Sequence, residues 1–492
     1  MAIVGGGLAG LATALRLQAQ GLSTVVFEAH GHVGGCAGYW THRGFSFDVG
    51  ATTLVDFEPG GVGGELLDTI GAPPVRGEQL QGYQAWLPDR KVTLSRDPAA
   101  WHAERLHAFG DDPAHRDFWH LLDRLAEVFW RASRDGIRVP LRSVRDVAHD
   151  VRIVGVRGLP LARFLTVTLG EALRRYGLRG DRALAGLLGM LVEDTVHSVV
   201  DRAPLINSAL GVTIRGAGLT RHEGGMHGFW RDLVRHYRSL AGELRTGSPV
   251  SRVHGEPGAF VVRGPRGERT ARQVVLAVPA PTAARICADQ PVARRLHRYL
   301  RRDRNACGGA IIAFLGVPDA EVDGQRLTHH QLLHSYDKPL GDGNNMFVSV
   351  SAPGDLHSAP RGHRAVMIST HTELSEWADL RGEEYALRKK EIGARLIELS
   401  RRVYPALGQR AVVSDVGTPR TFERFAFRPG GAVGGVRQNI RNSNQFAIPH
   451  DLGGRGMWLV GDTTWPGLGT VACVLGSRIV ADGVRRDHRR IR

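Results

Sequence analysis

The 492-residue chain is longer than one hydrophobic core usually serves, so we expect two or three domains. With 42% hydrophobic and 23% charged residues it has the composition of a folded globular protein, which excludes a disordered or low-complexity chain. The net charge of +15 has two readings, a bias toward Arg without functional meaning or attraction to an anionic membrane surface; without a zinc-finger or RNA-binding signature, no nucleic-acid partner is expected.

The first elements form a β-α-β pattern. Ala2 to Val4 is predicted as a buried strand, and Thr24 to Phe27 as a second one. Between them, Leu8 to Gln20 has apolar residues at a 3.6-residue period, which predicts a helix. Such a unit is the start of a parallel sheet.

The next long region, from about residue 65 to residue 242, is predicted to be mostly helical and is rich in Arg. Within it, Val151 to Leu178 mixes apolar runs with arginines. That composition is typical of a helix lying in a membrane interface. It is equally typical of a core helix with a solvated basic face, and the sequence leaves both open.

The later part of the chain is predicted to be rich in strands. Cys307 to Leu315 is an apolar run that predicts a buried strand, and similar runs follow it. Near the far end, Met457 to Val460 predicts a strand, and Thr470 to Ala481 predicts a closing helix. No Pro- or Ser-rich linker separates these regions, so we expect interleaved domains.

The cysteines and the apolar runs limit the cellular setting. The four cysteines are far apart and form no Cys-x-x-Cys pair, which argues against a metal site or a disulfide framework and suits a reducing cytoplasm. A glycine cluster begins at Gly5, so we expect no secretory signal. No run of 18 apolar residues occurs, so no segment is expected to span a bilayer.

A dinucleotide-binding fingerprint lies at the first strand-to-helix junction. It reads Gly5-Gly6-Gly7-Leu8-Ala9-Gly10, which satisfies G-x-G-x-x-G. The glycines permit a tight turn, close approach to a pyrophosphate and close helix–strand packing. Glu28 ends the second strand, where a carboxylate can accept hydrogen bonds from a ribose.

Two further segments favour FAD over NAD. After Glu28 and Ala29 the chain reaches the pair Gly34-Gly35, which is typical of flavoproteins whose loop wraps the cofactor. Near the other end, a predicted strand ends in Gly461-Asp462, where a carboxylate suits the ribitol chain that NAD lacks. Gly-Asp is also a common turn dipeptide, so its weight comes from the pairing with the fingerprint.

The chain resembles the carotenoid desaturase and isomerase family, which comprises bacterial phytoene-desaturase-like flavoenzymes, and within it the carotenoid 3,4-desaturases (C-3′,4′ desaturases). The resemblance is carried by these segments: Gly34-Gly35-Cys36-Ala37, residues 44–52, Glu58-Pro59-Gly60-Gly61, residues 417–424, Val433-Gly434-Gly435 and residues 461–470. The match is specific at both ends and holds only in outline in the middle. Cys36 departs from the family, where many relatives carry Arg or Ser; we interpret it as a subfamily mark and not as a nucleophile.

The resemblance implies an α/β fold with a discontinuous Rossmann-type FAD-binding domain, a β-rich substrate domain and a helical membrane-facing portion. Residues 1–64, 211–290 and 411–492 would form the FAD domain, residues 65–210 the helical, substrate and membrane-facing region, and residues 291–410 the substrate domain. It also implies that the backbone near Val253 meets the adenine and that Ala51, Thr52, Thr470 and Val471 line the isoalloxazine. The predicted cofactor-binding residues are Gly5, Gly7, Leu8, Ala9, Gly10, Glu28, Ala29, Gly34, Gly35, Cys36, Ala51, Thr52, Val253, Gly461, Asp462, Gly469, Thr470 and Val471.

The implied reaction is desaturation of a C–C bond beside a polyene, by hydride transfer to the flavin and loss of a proton from the adjacent carbon. It would introduce a double bond, C-3′,4′ in the closest subgroup, into an acyclic, monocyclic or 1-hydroxylated carotenoid held in a long apolar tunnel. We expect no metal and assign no catalytic residue. Asp48, His222 and Glu223 are candidate proton acceptors, but each is better explained as a turn anchor or a loop residue. Oxygen and a quinone stay open as electron acceptors.

Three alternatives remain. A flavin amine oxidase is the most distant, because those enzymes generally use a flavin-facing Lys and this chain has very few lysines. A carotenoid cis-trans isomerase would use the same scaffold without net redox change. A non-catalytic lipid carrier resembling the GDP-dissociation inhibitors shares the fold without using FAD, and the intact glycine and carboxylate set argues against it. We expect a cytoplasmic protein bound peripherally to the inner face of the cell membrane, with attraction from the basic tail Arg485, Arg486, Arg489, Arg490 and Arg492, unless that tail is merely solvated.

Overall fold

The computed structural model describes residues 1–491 and shows a mixed α/β fold; Arg492 of the basic tail lies outside the described residues. The strands in chain order are β1 (Ala2–Val4), β2 (Val25–Phe27), β3 (Tyr39–His42), β4 (Phe45–Asp48), β5 (Leu54–Val55), β6 (Gly77–Gln79), β7 (Gly82–Trp86), β8 (Lys91–Ser95), β9 (Leu219–His222), β10 (Glu243–Arg245), β11 (Arg252–His254), β12 (Phe260–Gly264), β13 (Gly267–Ala271), β14 (Val274–Leu276), β15 (Cys307–Pro318), β16 (His329–Leu333), β17 (Asn345–Val350), β18 (His363–Thr372), β19 (Val413–Gly417), β20 (Val433–Val436) and β21 (Met457–Leu459). The α-helices are α1 (Leu8–Ala19), α2 (Val62–Ile70), α3 (Pro98–Phe109), α4 (Pro113–Asp135), α5 (Val144–Val154), α6 (Leu169–Arg175), α7 (Arg182–Val196), α8 (Leu205–Val212), α9 (Gly225–Ser239), α10 (Ala280–Ile286), α11 (Pro291–Arg302), α12 (Ser375–Ala378), α13 (Gly382–Ser400), α14 (Pro419–Ala426) and α15 (Thr470–His488).

A five-stranded parallel sheet has the order β10-β2-β1-β14-β21. Its strands come from the beginning, the middle and the end of the chain, and the central β1 pairs with both β2 and β14. The three central strands are short apolar runs because helices cover both faces of a parallel sheet. This order is that of a Rossmann-type sheet, which confirms the predicted Rossmann-type fold.

The second large sheet has the strand order β19-β15-β18-β17-β16-β7-β8, with β20 also paired to β15. The long strands β15 and β18 form its antiparallel centre over ten consecutive residue pairs, from Gly309 with Thr372 to Pro318 with His363. The predicted limits of the substrate domain, residues 291–410, are narrower than this sheet. β7 and β8 precede them, and β19 and β20 follow them.

The region predicted to be mostly helical contains α3 to α8, packed around a core that includes Trp119 and Leu187. It also contains β6, β7, β8 and β9: β6 pairs with β9, β7 pairs with the distant β16, and β8 pairs with β7. The prediction missed these four strands, since the helical assignment rested on local pattern alone.

Residues 151–178 do not form one long helix. α5 ends at Val154 because Gly155 has φ +70° and leaves the helical region. A 3-10 segment then spans Leu159–Thr166, with a proline near its start, and α6 follows. The interpretation as one continuous interfacial or core helix is therefore wrong in form. Within residues 1–491, no helix combines the length and hydrophobicity needed to cross a bilayer.

Candidate functional site

One cavity of about 750 Å³ extends from the parallel sheet to the second large sheet. We call the part lined by the β1–α1 junction, the end of β2, residues 34–38 and residues 461–470 the cofactor compartment. We call the part lined by α7, β15, β16, β17 and β18 the substrate compartment. Glu28 and Asp462 both line the cavity, so the two carboxylates that the sequence assigns to one cofactor share one space.

The glycines of the β1–α1 junction have three different surroundings. Gly5 has φ +107°, and a Cβ there would lie 2.3 Å from the carbonyl oxygen of Ala277. A Cβ on Gly10 would lie 2.1 Å from the carbonyl oxygen of Gly5. An added Cβ on Gly7, in contrast, has no atom within 4 Å, because Gly7 faces the cavity. This open position is where a pyrophosphate fits.

Two long helices begin at the wall of the cavity. α1 starts after Gly7 and α15 starts after Gly469, and among the described residues no side chain caps either helix. Neither first turn carries an acidic residue. Unpaired N–H groups and the positive ends of the helix dipoles therefore face the cavity and suit an anionic or hydrogen-bond-accepting group.

Glu28 is fixed by backbone groups at the end of β2. Its Oε2 accepts from the Gly6 N–H at 2.7 Å, and its Oε1 accepts from the His30 N–H at 2.7 Å. Burial raises the pKa of Glu28, while these two hydrogen bonds oppose that rise. Each carboxylate oxygen has a further lone pair, so Glu28 can still accept from ribose hydroxyls.

The loop after β2 folds back on the glycine junction. Gly34 has φ +139°, and its N–H donates to the Gly6 carbonyl oxygen at 3.1 Å. A Cβ on Gly34 would lie 2.6 Å from Cα of Gly38, so a side chain cannot be accommodated. The Trp230 indole N–H donates to the carbonyl oxygen of Ala37 at 2.7 Å and supports the loop from α9.

Asp462 forms an ion pair that sequence reasoning missed. Its Oδ2 lies 2.8 Å from Nη2 of Arg428, and the two side chains are 17% and 10% exposed. The Nε of Arg428 donates to the Ala432 carbonyl oxygen at 2.8 Å. Burial by itself would lower the pKa of Arg428, but the Asp462 carboxylate outweighs burial and raises it. Oδ1 of Asp462 remains to accept from a ligand hydroxyl.

The cavity gathers most of the predicted cofactor-binding residues: Gly5, Gly7, Leu8, Ala9, Gly10, Glu28, Ala29, Gly34, Gly35, Cys36, Ala51, Gly461, Asp462, Gly469 and Thr470. Thr52, Val253 and Val471 do not line it. The Thr52 carbonyl oxygen accepts from Arg221, the Val253 side chain is fully buried in a neighbouring core, and Val471 packs against two cores. On the Val253 side, Val250 lines the cavity instead.

The three proton-acceptor candidates lie outside the cavity lining. Asp48 forms a buried ion pair with Arg221 at 2.7 Å and accepts from the Met226 N–H at 2.7 Å. His222 Nδ1 lies 2.6 Å from the carbonyl oxygen of Glu223. These contacts give Asp48 and His222 a structural role, whereas the Glu223 carboxylate is half exposed and lies 3.6 Å from His357. Among residues 1–491, no cluster of His, Cys, Asp or Glu side chains is arranged to bind a metal ion.

A histidine pair lines the substrate compartment. Nε2 of His197, which follows α7, lies 3.2 Å from Nε2 of His371 on β18, and Nδ1 of His371 lies 3.6 Å from Oε2 of Glu193. Burial would lower the pKa of His371, but Glu193 outweighs burial and raises it. Burial, followed by the charge of His371, holds the pKa of His197 well below its ordinary value.

A second polar chain reaches the same compartment from the other side. Arg215 Nη2 donates to Oε1 of Gln331 at 2.8 Å, and Gln331 Nε2 donates to Oδ2 of Asp194 at 2.6 Å. Burial raises the pKa of the Asp194 carboxyl, against the lowering influence of His371 and Arg215. Sequence reasoning missed both chains; the available signal was an acidic pair, Glu193-Asp194, inside an otherwise apolar helix.

Much of the rest of the substrate compartment and its border is apolar and aromatic, beside the polar Asn345, Ser369 and Thr370. Trp40 and Phe314 lie with ring centroids 5.3 Å apart and both line the cavity. Other large apolar lining residues include Met190, Ile312, Met346, Phe347, Phe422, Phe425 and Phe427. Such a wall excludes water and accommodates a hydrocarbon chain beside the cofactor compartment.

Two family models match the chain. Residues 3–70 match the NAD(P)-binding Rossmann-like domain, and residues 94–484 match the family described as flavin containing amine oxidoreductase. The first match covers the glycine junction, Glu28 and the loop at Gly34. The second covers β15 to β20 of the second large sheet, together with Arg428 and Asp462.

Curated relatives and solved structures match over nearly the whole chain. The chloroplastic prolycopene isomerase of Daucus carota is 22% identical, covering 99% of this chain and 80% of that protein. The 4,4'-diapophytoene desaturase (4,4'-diaponeurosporene-forming) of Staphylococcus aureus is 21% identical, covering 100% of this chain and 99% of that protein. The crystal structure of an oxidoreductase from Methanosarcina mazei has a TM-score of 0.61 at 16% identity, covering 98% of this chain and 99% of that chain, which shows a shared fold.

Proposed function

This chain belongs to the flavin containing amine oxidoreductase family and is an FAD-dependent oxidoreductase, and from that premise we propose that it desaturates carotenoids. The proposed reaction introduces one C–C double bond, at C-3′,4′, into an acyclic or monocyclic carotenoid, including 1-hydroxylated forms. Relatives whose names include a diapophytoene desaturase and prolycopene isomerases, matched over almost the full length of this chain, support a carotenoid substrate.

The observation that carries this proposal is the continuity of the two compartments. One cavity has glycine backbone and helix N-termini at one end and an aromatic, apolar wall at the other. A polyene lying along that wall would come close to the cofactor without exposure to water. The arrangement favours a long hydrocarbon over a small polar amine, because aromatic residues such as Trp40 and Phe314 occupy the border.

The residues present fit FAD. Gly7 leaves open space for the pyrophosphate, Glu28 can accept from the adenosine ribose, and Asp462 retains an oxygen for the ribitol. Bound FAD supplies the two-electron acceptor for a hydride. The protein's own contribution is to orient the substrate, exclude water and hold a proton, which needs only side chains that already line the cavity.

The test is incubation of the purified, FAD-loaded protein with acyclic, monocyclic and 1-hydroxylated carotenoids, with oxygen or a quinone as oxidant. Desaturation lengthens the conjugated chain, so we expect a red-shifted product spectrum. Under anaerobic conditions without a quinone, we expect bleaching of the flavin, because it is reduced and not reoxidised. Absence of a flavin spectrum in the purified protein would support the lipid-carrier alternative. A flavoprotein that leaves every carotenoid unchanged would overturn the proposal.

A second candidate is a carotenoid cis-trans isomerase. The match to a protein named prolycopene isomerase over 99% of this chain favours it. The same incubation separates the two reactions, because isomerisation changes the geometry of the polyene without changing its length. An isomerase would therefore give a product of unchanged mass and no net oxidation.

We further propose a cytoplasmic protein that binds peripherally to the inner face of the cell membrane. The supporting observation is a patch that combines exposed apolar side chains with arginines around α5 and the following 3-10 segment. Val144 and Val156 are 85% and 83% exposed. The patch also contains Val147, Val151, Leu159 and Leu165, with Arg152, Arg157 and Arg163 among them. Apolar side chains interleaved with cations suit an anionic bilayer surface.

Liposome flotation tests this placement. We expect binding to anionic vesicles that weakens at high salt, and weaker binding of a variant carrying Val144→Ser and Val156→Ser. Leu356→Ser is the matched control, because Leu356 is 58% exposed in a loop outside the patch. Equal flotation of the patch variant and the control would contradict the proposed surface.

A further inference from the structure

Two neighbouring carboxylates on α7 have different surroundings. The Glu193 carboxylate already has two partners, since its Oε2 faces His371 and accepts a hydrogen bond from Nδ2 of Asn345. Asp194 lines the cavity, whereas Glu193 does not. Asp194 is also partly exposed, and that exposed part faces the substrate compartment.

The Asp194 carboxylate is held from one side only. Gln331 donates to Oδ2 at 2.6 Å and is itself fixed by Arg215 at 2.8 Å. The guanidinium of Arg215 lies 5.0 Å from the centroid of the Tyr83 ring, which fixes it in turn. Oδ1 has no hydrogen-bond partner among the described residues. An oriented carboxylate with one free oxygen in an apolar space can take up a proton.

We propose that Asp194 is the proton acceptor of the substrate compartment, with Gln331 and Arg215 as its positioning residues. This assignment rests on the proposed function. The other polar side chains of this wall, Asn345, Ser369 and Thr370, are not bases, and His371 and His197 are already paired with each other.

In the proposed desaturation, two neighbouring carbons each lose one hydrogen, and a C=C bond forms between them. A hydride leaves one carbon with both electrons of its C–H bond, which oxidises the substrate by two electrons and reduces FAD. The neighbouring carbon then loses a proton, and the electron pair of that C–H bond becomes the second bond of the new C=C. The proton bonds to the Asp194 carboxylate, which becomes a neutral acid and later releases the proton to solvent.

The test compares the FAD-loaded wild type with Asp194→Asn in anaerobic single turnovers with a carotenoid that the wild type oxidises. We expect the rate of desaturation to fall about 100-fold or more, as for loss of a general base. Carotenoid binding, measured by quenching of tryptophan fluorescence, should stay close to the wild-type value. A rate loss of less than about tenfold would overturn the assignment.

Two control variants define the result. Asp201→Asn removes a carboxylate that is 50% exposed and pairs with surface arginines, so its rate should equal the wild-type rate. Glu193→Gln removes the adjacent carboxylate that does not line the cavity, so its loss should be much smaller than that of Asp194→Asn. A larger loss in Glu193→Gln would also overturn the assignment.

The pH profile is the second readout. The groups that face Asp194 are Glu193 on α7, Arg215 after α8, Tyr83 on β7, Gln331 on β16 and His371 on β18. Because burial raises the pKa of Asp194, the wild-type rate should fall with falling pH at a higher pH than for an ordinary aspartate. If Asp194→Asn does not fold, Asp194→Glu keeps the carboxylate and should shift this acid limb. An unshifted limb would refute the role.

Failure of the inference and failure of the proposed function give different results. If the wild type neither desaturates nor isomerises any carotenoid, the proposed function fails. If the wild type is active and Asp194→Asn is equally active, the proposed function stands and only the Asp194 assignment is lost.

Discussion

The cofactor compartment and the substrate compartment are built by different means. The cofactor compartment is made largely of backbone, with glycines at the β1–α1 junction and two uncapped helix ends. The substrate compartment is made of side chains from one helix and four strands of a sheet. Backbone sites depend on a local run of sequence, whereas side-chain sites depend on which strands become neighbours.

This difference explains why the cofactor compartment tolerates no substitution at a few glycines, whereas the residues of the substrate compartment can vary. A Cβ on Gly5 or Gly10 would overlap main-chain atoms. Substitutions among Met190, Ile312 and Phe347 would change only the shape of an apolar wall. Selectivity for one carotenoid over another is therefore expected to depend on the substrate compartment, with the cofactor compartment unchanged.

The largest expected effect comes from Gly10→Ala. Its new Cβ would lie 2.1 Å from the Gly5 carbonyl oxygen and 2.9 Å from Cβ of Ala277, so the helix must move away from the strand. We expect loss of bound FAD and destabilisation by about 3 kcal/mol or more. The ratio of flavin to protein absorbance and a chemical denaturation curve measure the two effects.

Gly7→Ala is the matched control for the fold. Its Cβ meets no atom within 4 Å, so the protein without FAD should unfold like the wild type. The affinity for FAD should nevertheless fall by about tenfold or more, since the methyl group occupies the pyrophosphate space. Unchanged FAD affinity in Gly7→Ala would contradict the assignment of that space.

The next prediction tests whether the buried Asp462 carboxylate needs its ion pair with Arg428 for stability. Arg428→Met leaves the Asp462 carboxylate, which is 17% exposed, without its partner. Losing one member of a buried ion pair costs about 3–5 kcal/mol, and we expect a destabilisation near the lower end of that range in urea denaturation. The double variant Arg428→Met with Asp462→Asn should recover much of that stability. If the double variant is no more stable, the ion pair is not the cause.

The features that could be predicted from the sequence are those fixed by local backbone, and the features that were missed depend on contacts between distant segments. The glycine junction, Glu28 and the Gly34 loop were found because their spacing is local and their chemistry is fixed by the backbone. Arg428 was not found, because its pairing with Asp462 depends on a turn between α14 and β20. β7 was assigned to a helical region because its parallel partner β16 lies more than 200 residues away, as in the pairing of Gln84 with His330. β8 was missed with it, although β8 pairs with the neighbouring β7.

Acid sensitivity is expected to be concentrated in the second large sheet, where His330 is fully buried. His330 Nδ1 accepts from the Trp86 indole N–H at 3.2 Å, and burial lowers the pKa of His330 to about 4 from an ordinary value of 6.5. Below pH 6.5 His330 is protonated in the unfolded chain but stays neutral in the folded protein. The free energy of unfolding therefore decreases as the pH falls from about 6.5 to about 4. The loss is at most about 3 kcal/mol at 1.36 kcal/mol per pKa unit.

His330→Gln should flatten this part of the stability profile. The expected observation is a smaller loss of unfolding free energy between neutral pH and pH 4, measured by urea denaturation at each pH. The variant can be less stable than the wild type at neutral pH, because the hydrogen bond to Tyr404 changes. Only the slope against pH tests the prediction, and an unchanged slope would count against a neutral buried His330.

The smallest effect tests how far the cofactor compartment depends on backbone alone. Trp230→Phe removes the N–H that donates to the carbonyl oxygen of Ala37 at 2.7 Å, while it keeps an aromatic ring beneath the Gly34 loop. Loss of one hydrogen bond costs about 1 kcal/mol, and we expect FAD affinity to fall by less than about tenfold. Titration of the protein with FAD, followed by quenching of flavin fluorescence, measures this change. The contradicting outcome is a loss of FAD affinity as large as that of Gly7→Ala. The Trp230 side chain would then contribute as much to the cofactor compartment as the glycine backbone, and the distinction between a backbone site and a side-chain site would be wrong.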